Sequence, residues 1–216
     1  NPGLVFVHED HADVIASETA KLVEASASSA MLNSGICDAY CGGLAALENN
    51  SSVKQLAKAT AGEGANQAVA ALFQTDIETF LADKDLTHEV FGPASIIVTY
   101  KNDADLLKAF TSLEGQLTAS VFGTDAELAG QQDLARLMED RAGRLVFNGF
   151  PTGVEVCASM VHGGPFPSTS DGRSTSVGTM AIYRFTRAVC WQDCPEALLP
   201  AELQDGNPLG IQRSEV

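Results

Sequence analysis

The sequence predicts an α/β fold, a layered and mainly parallel sheet with flanking helices, followed by a tail. Short runs of β-branched and aromatic residues alternate with longer amphipathic segments, and this alternation is typical of parallel sheets covered by helices. The chain has 216 residues, of which 45% are hydrophobic. This is enough apolar material to bury the core of one large domain.

Each predicted element rests on its own pattern. The first strand, residues 4–7, is the run Leu-Val-Phe-Val after an Asn-Pro-Gly turn. Similar apolar runs predict strands at residues 67–73, 94–100, 117–122 and 144–147. Apolar residues that recur on one face predict helices at residues 11–28, 39–47, 103–113 and 126–142. The helix at 103–113 begins with Asp, a residue that favours helix starts.

The composition changes after the last predicted strand. Residues 149–178 are rich in Gly, Pro, Ser and Thr, and a connection of this length in a compact domain usually lines a site or an interface. Residues 180–190 return to an apolar pattern, and residues 195–213 are expected to form a tail laid over a neighbour.

Charge and hydropathy exclude two classes of partner. The net charge is −15, the sequence pI is about 4.4 and only 13 Lys and Arg are spread along the chain, whereas nucleic-acid binding needs clustered cations. The sequence has no apolar run of the roughly 18 to 20 residues that a membrane helix requires, and it does not open with a basic and then apolar leader. We therefore expect no nucleic acid, no membrane and a cytoplasmic location.

Five cysteines are too few for a disulfide-stabilised secreted domain. The pairs Cys37 and Cys41, and Cys190 and Cys194, have a spacing that zinc sites allow. The first pair lies in a predicted helix, where residues four apart share a face. We therefore expect these cysteines to pack as reduced thiols and expect no metal site.

A carboxylate stands directly before one predicted core strand. Glu89 precedes Gly92-Pro93 and the apolar run 94–100. Such a residue is either a solvated acid at a strand start or a group aimed at a ligand, and the local pattern leaves both open. His162, before Gly163-Gly164 in the long loop, is open to the same two interpretations.

The common nucleotide and hydrolase motifs are missing from the sequence. Gly62-x-Gly64 lacks the third glycine of a dinucleotide fingerprint, and there is no P-loop and no Gly-x-Ser-x-Gly elbow. His8 and His11 have the wrong spacing for a helical zinc-protease pair. Taken alone, the residues give an α/β domain with one candidate acid and one candidate loop.

Several segments resemble aldehyde dehydrogenases. "EVFGP" (residues 89–93) matches the family's Glu-Ile/Val-Phe-Gly-Pro motif, and "NPGLVFV" (1–7) resembles the stretch after the nucleophile motif Gly-Gln-x-Cys. Residues 143–156, 160–178 and 197–211 are similar to one subgroup, the NADP-preferring fatty aldehyde and α-ketoglutaric semialdehyde (2,5-dioxovalerate) dehydrogenases. The resemblance runs in order along the chain and corresponds to the carboxy-terminal part of the family's fold.

The resemblance implies that the catalytic groups lie outside this chain. The nucleophilic cysteine is expected two residues before Asn1, with the general base, the oxyanion-binding asparagine and the cofactor domain further upstream. We therefore expect a fragment that is inactive alone and holds no cofactor, from an enzyme that uses NADP or NAD to oxidise an aldehyde to a carboxylic acid. α-Ketoglutaric semialdehyde is favoured over a long-chain fatty aldehyde. Residues 1–178 are then the catalytic domain, and 179–216 an oligomerisation strand and tail.

Two groups of residues receive roles from the resemblance. Glu89 is expected to accept hydrogen bonds from the nicotinamide ribose, since a carboxylate offers two acceptors to a vicinal diol, and Phe91 to pack beside the nicotinamide. A strand around residues 179–185 is expected at the interface of a homodimer or homotetramer. The loop residues expected to line the tunnel for a small aldehyde are Phe150, Pro151, Thr152, Gly153, Val154 and His162.

Two other classes of protein remain as alternatives. A stand-alone binding or scaffold module could keep this fold to pair with a partner, and a native chain starting near Asn1 would favour it. A zinc-bound domain would need stoichiometric metal at the two cysteine pairs. Under the dehydrogenase interpretation Glu89 is exposed to solvent, and its burial in an ion pair would count against that interpretation.

Overall fold

A computed structural model describes residues 2–213 of the chain. Asn1, where the resemblance begins, and residues 214–216, the end of the predicted tail, lie outside the described residues. The strands are β1 (Leu4–His8), β2 (Ser29–Ala30), β3 (Lys54–Lys58), β4 (Gln67–Ala68), β5 (Ala71–Asp76), β6 (Ala94–Tyr100), β7 (Gln116–Val121) and β8 (Ala142–Phe147). The α-helices are α1 (Glu9–Ala25), α2 (Ser34–Asn49), α3 (Ile77–Ala82), α4 (Asp103–Ser112), α5 (Asp125–Ala129) and α6 (Gln132–Arg141).

The main sheet has four strands in the order β1-β6-β5-β3. β6 pairs in parallel with both β1 and β5, and β3 pairs with β5 in antiparallel fashion. β7 and β8 form a separate parallel pair, and β2 and β4 a short antiparallel one. The mainly parallel α/β class predicted from the sequence is confirmed.

Helices cover both faces of the main sheet. On one face Phe73 of β5 and Val98 of β6 are fully buried in a cluster that also contains residues of α2, α3 and α4. On the other face Leu72 and Ile97 pack against α1. Successive residues of a strand point to opposite faces, so a strand buried on both sides reads as the continuous apolar run seen in the sequence.

Two predicted elements are divided in the structure. The strand expected at 67–73 is split into β4, which pairs with β2, and β5, which enters the main sheet. The helix expected at 126–142 is split at Gly130 into α5 and α6. Thr124 and Glu127 form a capping box that starts α5, and such a box satisfies the free amide groups of a helix start.

The prediction of a strand around residues 179–185 is wrong. The segment Thr179–Arg184 is a 3-10 helix, in which the Ala181 amide donates to the Gly178 carbonyl at 3.1 Å. A strand needs a neighbouring strand to pair its backbone groups, whereas a helical turn pairs them locally. Within the described chain this segment meets no such neighbour.

Residues 149–178 form no α-helix and no strand, as the composition indicated. A 3-10 helix at Glu196–Leu198 and several turns make up the tail as far as residue 213. Among the described residues, no helix combines the length and the apolar character that crossing a membrane requires.

Candidate functional site

Glu89 lies in a surface depression at the amino ends of two neighbouring parallel strands. The depression has a volume of about 220 Å³. Its lining residues are Gly3, Glu89, Val90, Phe91 and Gly92. Gly3 directly precedes β1 and the other four precede β6, and these two strands pair with Leu4 opposite Ile96. The register of the sheet therefore brings the two segments together.

Backbone hydrogen bonds hold the segment Glu89–Pro93, called here the Glu89 turn, against the sheet. The Ala71 amide of β5 donates to the Pro93 carbonyl at 3.0 Å, and the Ala94 amide donates to the Gly92 carbonyl at 2.9 Å. On the other side of β6, the Ile96 amide donates to the Gly3 carbonyl at 2.9 Å. The Pro93 end of the turn is thus bound to β5, and the strand that follows the turn is bound to Gly3.

Glu89 is exposed, and Phe91 is 65% exposed. Over residues 2–213, Glu89 forms no ion pair. Exposure is what both interpretations of this carboxylate require. The exposed ring of Phe91 adds apolar surface beside this carboxylate.

The second group of candidate residues follows β8. The side chain of Asn148 accepts a hydrogen bond from the Gly123 amide and donates one to the Gly123 carbonyl, both at 2.9 Å. This joins the carboxyl ends of β7 and β8. The rings of Phe122 and Phe150, one after each strand, lie with their centroids 5.1 Å apart, within the range of favourable aromatic pairs.

The other loop candidates lie along the same exposed stretch. Pro151, Thr152, Gly153 and Val154 are exposed. The carbonyl of Gly153 accepts a hydrogen bond from Nη1 of Arg144 at 2.7 Å. A charge-assisted bond of this kind restrains the loop after Phe150.

His162 is half-buried, and its backbone is tied to a second part of the loop. Its amide donates to Oγ1 of Thr175 at 2.8 Å, and its carbonyl accepts from the Ser176 amide at 3.0 Å. The next two residues, Gly163 and Gly164, pass directly against the backbone near the starts of β7 and β8. A side chain at position 143 would overlap the carbonyl of Gly163.

The structure groups the candidates into two sets. Glu89 and Phe91 line one depression, and the loop candidates are not among its lining residues. Sequence reasoning missed Phe122, Arg144 and Gly3, which contact or line the two sets. Only Gly3 carried a signal, because it lies in the "NPGLVFV" segment that the resemblance already singled out.

The cysteines do not assemble into a metal site. In residues 2–213 no group of three or more His, Cys, Asp or Glu side chains is placed to hold a metal ion. All five cysteines are free thiols. Burial, followed by the nearby Cys41, raises the pKa of Cys37, so this side chain favours the protonated form rather than a ligand thiolate.

Two known proteins are similar to this chain in sequence. The chain is 49% identical over 184 residues to an α-ketoglutaric semialdehyde dehydrogenase of Acinetobacter baylyi, covering 85% of this chain and 35% of the relative. It is 44% identical over 215 residues to α-ketoglutaric semialdehyde dehydrogenase 2 of Azospirillum brasilense, covering 99% of this chain and 41% of the relative. The chain thus spans well under half the length of these relatives. No protein-family model matches it.

Solved structures agree with the sequence relatives. The NAD+ complex of an aldehyde dehydrogenase from Bacillus cereus superimposes with a TM-score of 0.68 at 16% identity, over 86% of this chain and 37% of that one. The Δ-pyrroline-5-carboxylate dehydrogenase of Mycobacterium tuberculosis gives a TM-score of 0.68 at 13% identity, over 92% and 39%.

The fold is therefore a part of the aldehyde dehydrogenase fold, in which a mainly parallel sheet carries helices on both faces. At 44–49% identity to two aldehyde dehydrogenases, the chain resembles the carboxy-terminal part of members of that superfamily. Within the superfamily it is similar to the α-ketoglutaric semialdehyde dehydrogenases of the two bacteria named above.

Proposed function

We propose that this chain is the carboxy-terminal part of an NAD(P)-dependent dehydrogenase that oxidises α-ketoglutaric semialdehyde to a carboxylic acid. The observation that supports the proposal most is the 44% identity, over 99% of the chain, to a relative of that name. The matched stretch includes both the Glu89 turn and the loop after β8.

The Glu89 turn suits one end of the cofactor. The nicotinamide cofactor supplies a hydride acceptor when it is bound. The depression of about 220 Å³ is smaller than the roughly 300 Å³ at which pockets for whole organic ligands begin, so it fits a ribose rather than a dinucleotide. The two oxygens of Glu89 can accept hydrogen bonds from two ribose hydroxyls, and the exposed ring of Phe91 can cover the nicotinamide.

The loop after β8 suits the aldehyde. Phe122 and Phe150 are 55% and 68% exposed and contact each other, which gives an apolar wall of two rings. Pro151, Thr152, Gly153 and Val154 continue from this wall, and His162 adds a polar group. We propose that this surface lines the path of the substrate chain, with its polar ends bound by groups further away.

The cysteines of this chain do not suit the role of the catalytic nucleophile. Aldehyde oxidation through a thioester needs a thiolate with a lowered pKa, a general base and donors for the oxyanion. The pKa of Cys37 is shifted in the opposite direction. We propose that this chain binds and orients the ligands and that the isolated chain does not oxidise aldehydes.

A hybrid enzyme tests the proposal. In this hybrid, the 216 residues replace the matched segment of the Azospirillum brasilense relative, which supplies the remaining 59% of its own length. We expect NAD(P)H formation with α-ketoglutaric semialdehyde and a higher kcat/KM than with dodecanal. A folded hybrid that forms no NAD(P)H with either aldehyde contradicts the proposal, as does turnover by the isolated chain.

A further inference from the structure

Helix α2 lies directly beneath the Glu89 turn. Tyr40 and Gly43 are three residues apart and share one face of the helix. A side chain at position 92 would overlap the Tyr40 ring, and a Cβ at position 43 would lie 3.0 Å from Cγ1 of Val90. The helix therefore touches the turn on both sides of Phe91, one residue from Glu89 itself.

Tyr40 is a rigid support. Its side chain is 1% exposed, and its hydroxyl donates to the Val69 carbonyl at 2.6 Å. Burial raises the pKa of Tyr40 to about 12, so the hydroxyl stays a donor throughout the physiological range. A buried ring with a satisfied hydroxyl cannot move aside without breaking that bond or opening a cavity.

Gly43 sets how closely the helix approaches. The distance of 3.0 Å from its ideal Cβ position to Val90 is shorter than ordinary carbon contacts. The adjacent Gly42 has open space, since no atom lies within 4 Å of its Cβ position. A methyl group would thus press on the Val90 side chain at position 43 and would meet no atom at position 42.

We propose that α2, through the ring of Tyr40 and the missing side chain of Gly43, positions the carboxylate of Glu89 for the cofactor ribose. Neither residue lines the depression, so both are positioning residues. The inference rests on the proposed function of Glu89. It extends that function to a helix about 50 residues earlier in the chain, for which no motif assigns a role.

The physical reason lies in the geometry of hydrogen bonds. A carboxylate that serves two ribose hydroxyls needs both oxygens within about 2.5 to 3.0 Å of their donors. Displacement of a binding group by a few tenths of an ångström weakens both bonds at once, and larger errors reduce rates steeply. The turn is short, so a push on Val90 is transmitted to Glu89.

The test compares Gly43→Ala with Gly42→Ala in the hybrid enzyme. Both changes add the same methyl group and the same helix propensity to α2, and only the first meets Val90. We expect Gly43→Ala to raise the KM for NADP+ by about threefold or more, with the KM for the aldehyde unchanged. Gly42→Ala should leave both values as they are.

Tyr40 gives an independent pair of variants. Tyr40→Leu removes the ring beneath Gly92 and should also raise the KM for NADP+. Tyr40→Phe keeps the ring, so its KM for NADP+ should stay close to that of the unsubstituted hybrid, even though it loses the hydroxyl bond to Val69. In the 216-residue chain, amide hydrogen exchange over residues 89–93 should rise in Gly43→Ala and not in Gly42→Ala.

The outcomes separate this inference from the proposed function. Glu89→Gln should raise the KM for NADP+ by about tenfold, and adding Gly43→Ala should raise it little further, because both act on one interaction. If Gly43→Ala behaves as Gly42→Ala, or if its effect multiplies with that of Glu89→Gln, the positioning role is overturned and Glu89 keeps its role. If Glu89→Gln alone has no effect on the KM for NADP+, both the positioning role of α2 and the proposed role of Glu89 are overturned.

Discussion

Asn148 closes the carboxyl ends of β7 and β8 by holding both backbone groups of Gly123 with one side-chain amide. Its own backbone has φ 51°, in the left-handed region that asparagine tolerates better than most residues. The backbone amide of Asn148 also donates to the Val121 carbonyl at 2.8 Å. One residue therefore sets the relative positions of Phe122 and Phe150.

Replacement of Asn148 should show these two effects separately. Asn148→Ala loses both side-chain bonds and keeps the strained φ, so we expect the free energy of unfolding to fall by about 2 kcal/mol. Asn148→Gly loses the same bonds without the strain, so its free energy of unfolding should fall by only about 1 kcal/mol. Urea denaturation measures both. Equal losses would contradict the contribution of backbone strain.

The glycine at position 143 should be irreplaceable. A side chain there would overlap the carbonyl of Gly163, and backbone on both sides has little room to move. Gly143→Ala should destabilise the chain by about 2 kcal/mol or more, as measured by thermal and urea unfolding. Gly206→Ala, where no atom lies within 4 Å of the added carbon, is the control and should have little effect. A neutral Gly143→Ala would contradict the packing of the His162 loop.

Asp76 predicts a dependence of stability on pH. Its carboxylate accepts a hydrogen bond from the Thr79 amide at 2.8 Å at the start of α3, and this bond lowers its pKa below the usual 3.8. A lowered folded-state pKa stabilises the fold above pH 3.8, and the stabilisation is lost as the pH falls through the folded-state value.

Asp76→Asn keeps a capping oxygen and removes the titration. We expect the difference in free energy of unfolding between the parent and Asp76→Asn to be constant near neutral pH and to shrink at acid pH. This difference is measured by urea denaturation at a series of pH values from about 2.5 to about 7, at intervals of about one pH unit. A difference that does not change with pH would contradict the assigned bond.

The exposed segment Thr179–Arg184 predicts self-association, which we propose for the parent enzyme. Ile182, Tyr183 and Phe185 are 61%, 65% and 85% exposed, and a concentration of exposed apolar side chains favours an interaction site. Replacing Ile182 and Phe185 together by Ser should shift the hybrid enzyme to a smaller species in sedimentation velocity. Leu32→Ser, at an 88% exposed position elsewhere, should not. The same species in all three proteins would contradict this interface.

The buried strands are the elements that the sequence predicts best. The strands predicted at residues 4–7 and 94–100 agree with β1 and β6 within one residue, because strands buried on both faces are continuous apolar runs. β3 was missed, since Lys54–Lys58 is an edge strand with exposed lysines, a composition that protects an edge but hides the strand. The error at residues 179–185 arose because strand pairing depends on a neighbour that local sequence does not contain.

The candidate site was predicted only where its residues are adjacent in sequence. Glu89 and Phe91 belong to one motif and line one depression. Tyr40 and Gly43 reach the same turn through the packing of a distant helix, and a glycine in an Ala- and Gly-rich helix carries no local signal of that contact. Contacts of this kind follow from tertiary structure alone.

The role of Glu89 is most directly tested by one kinetic comparison. In the hybrid enzyme, Glu89→Gln removes the negative charge and keeps the shape of the side chain. We predict that the KM for NADP+ rises by about tenfold while the KM for α-ketoglutaric semialdehyde and the melting temperature stay unchanged. An unchanged KM for NADP+ in a folded, active Glu89→Gln hybrid would contradict the assignment of this carboxylate to the cofactor.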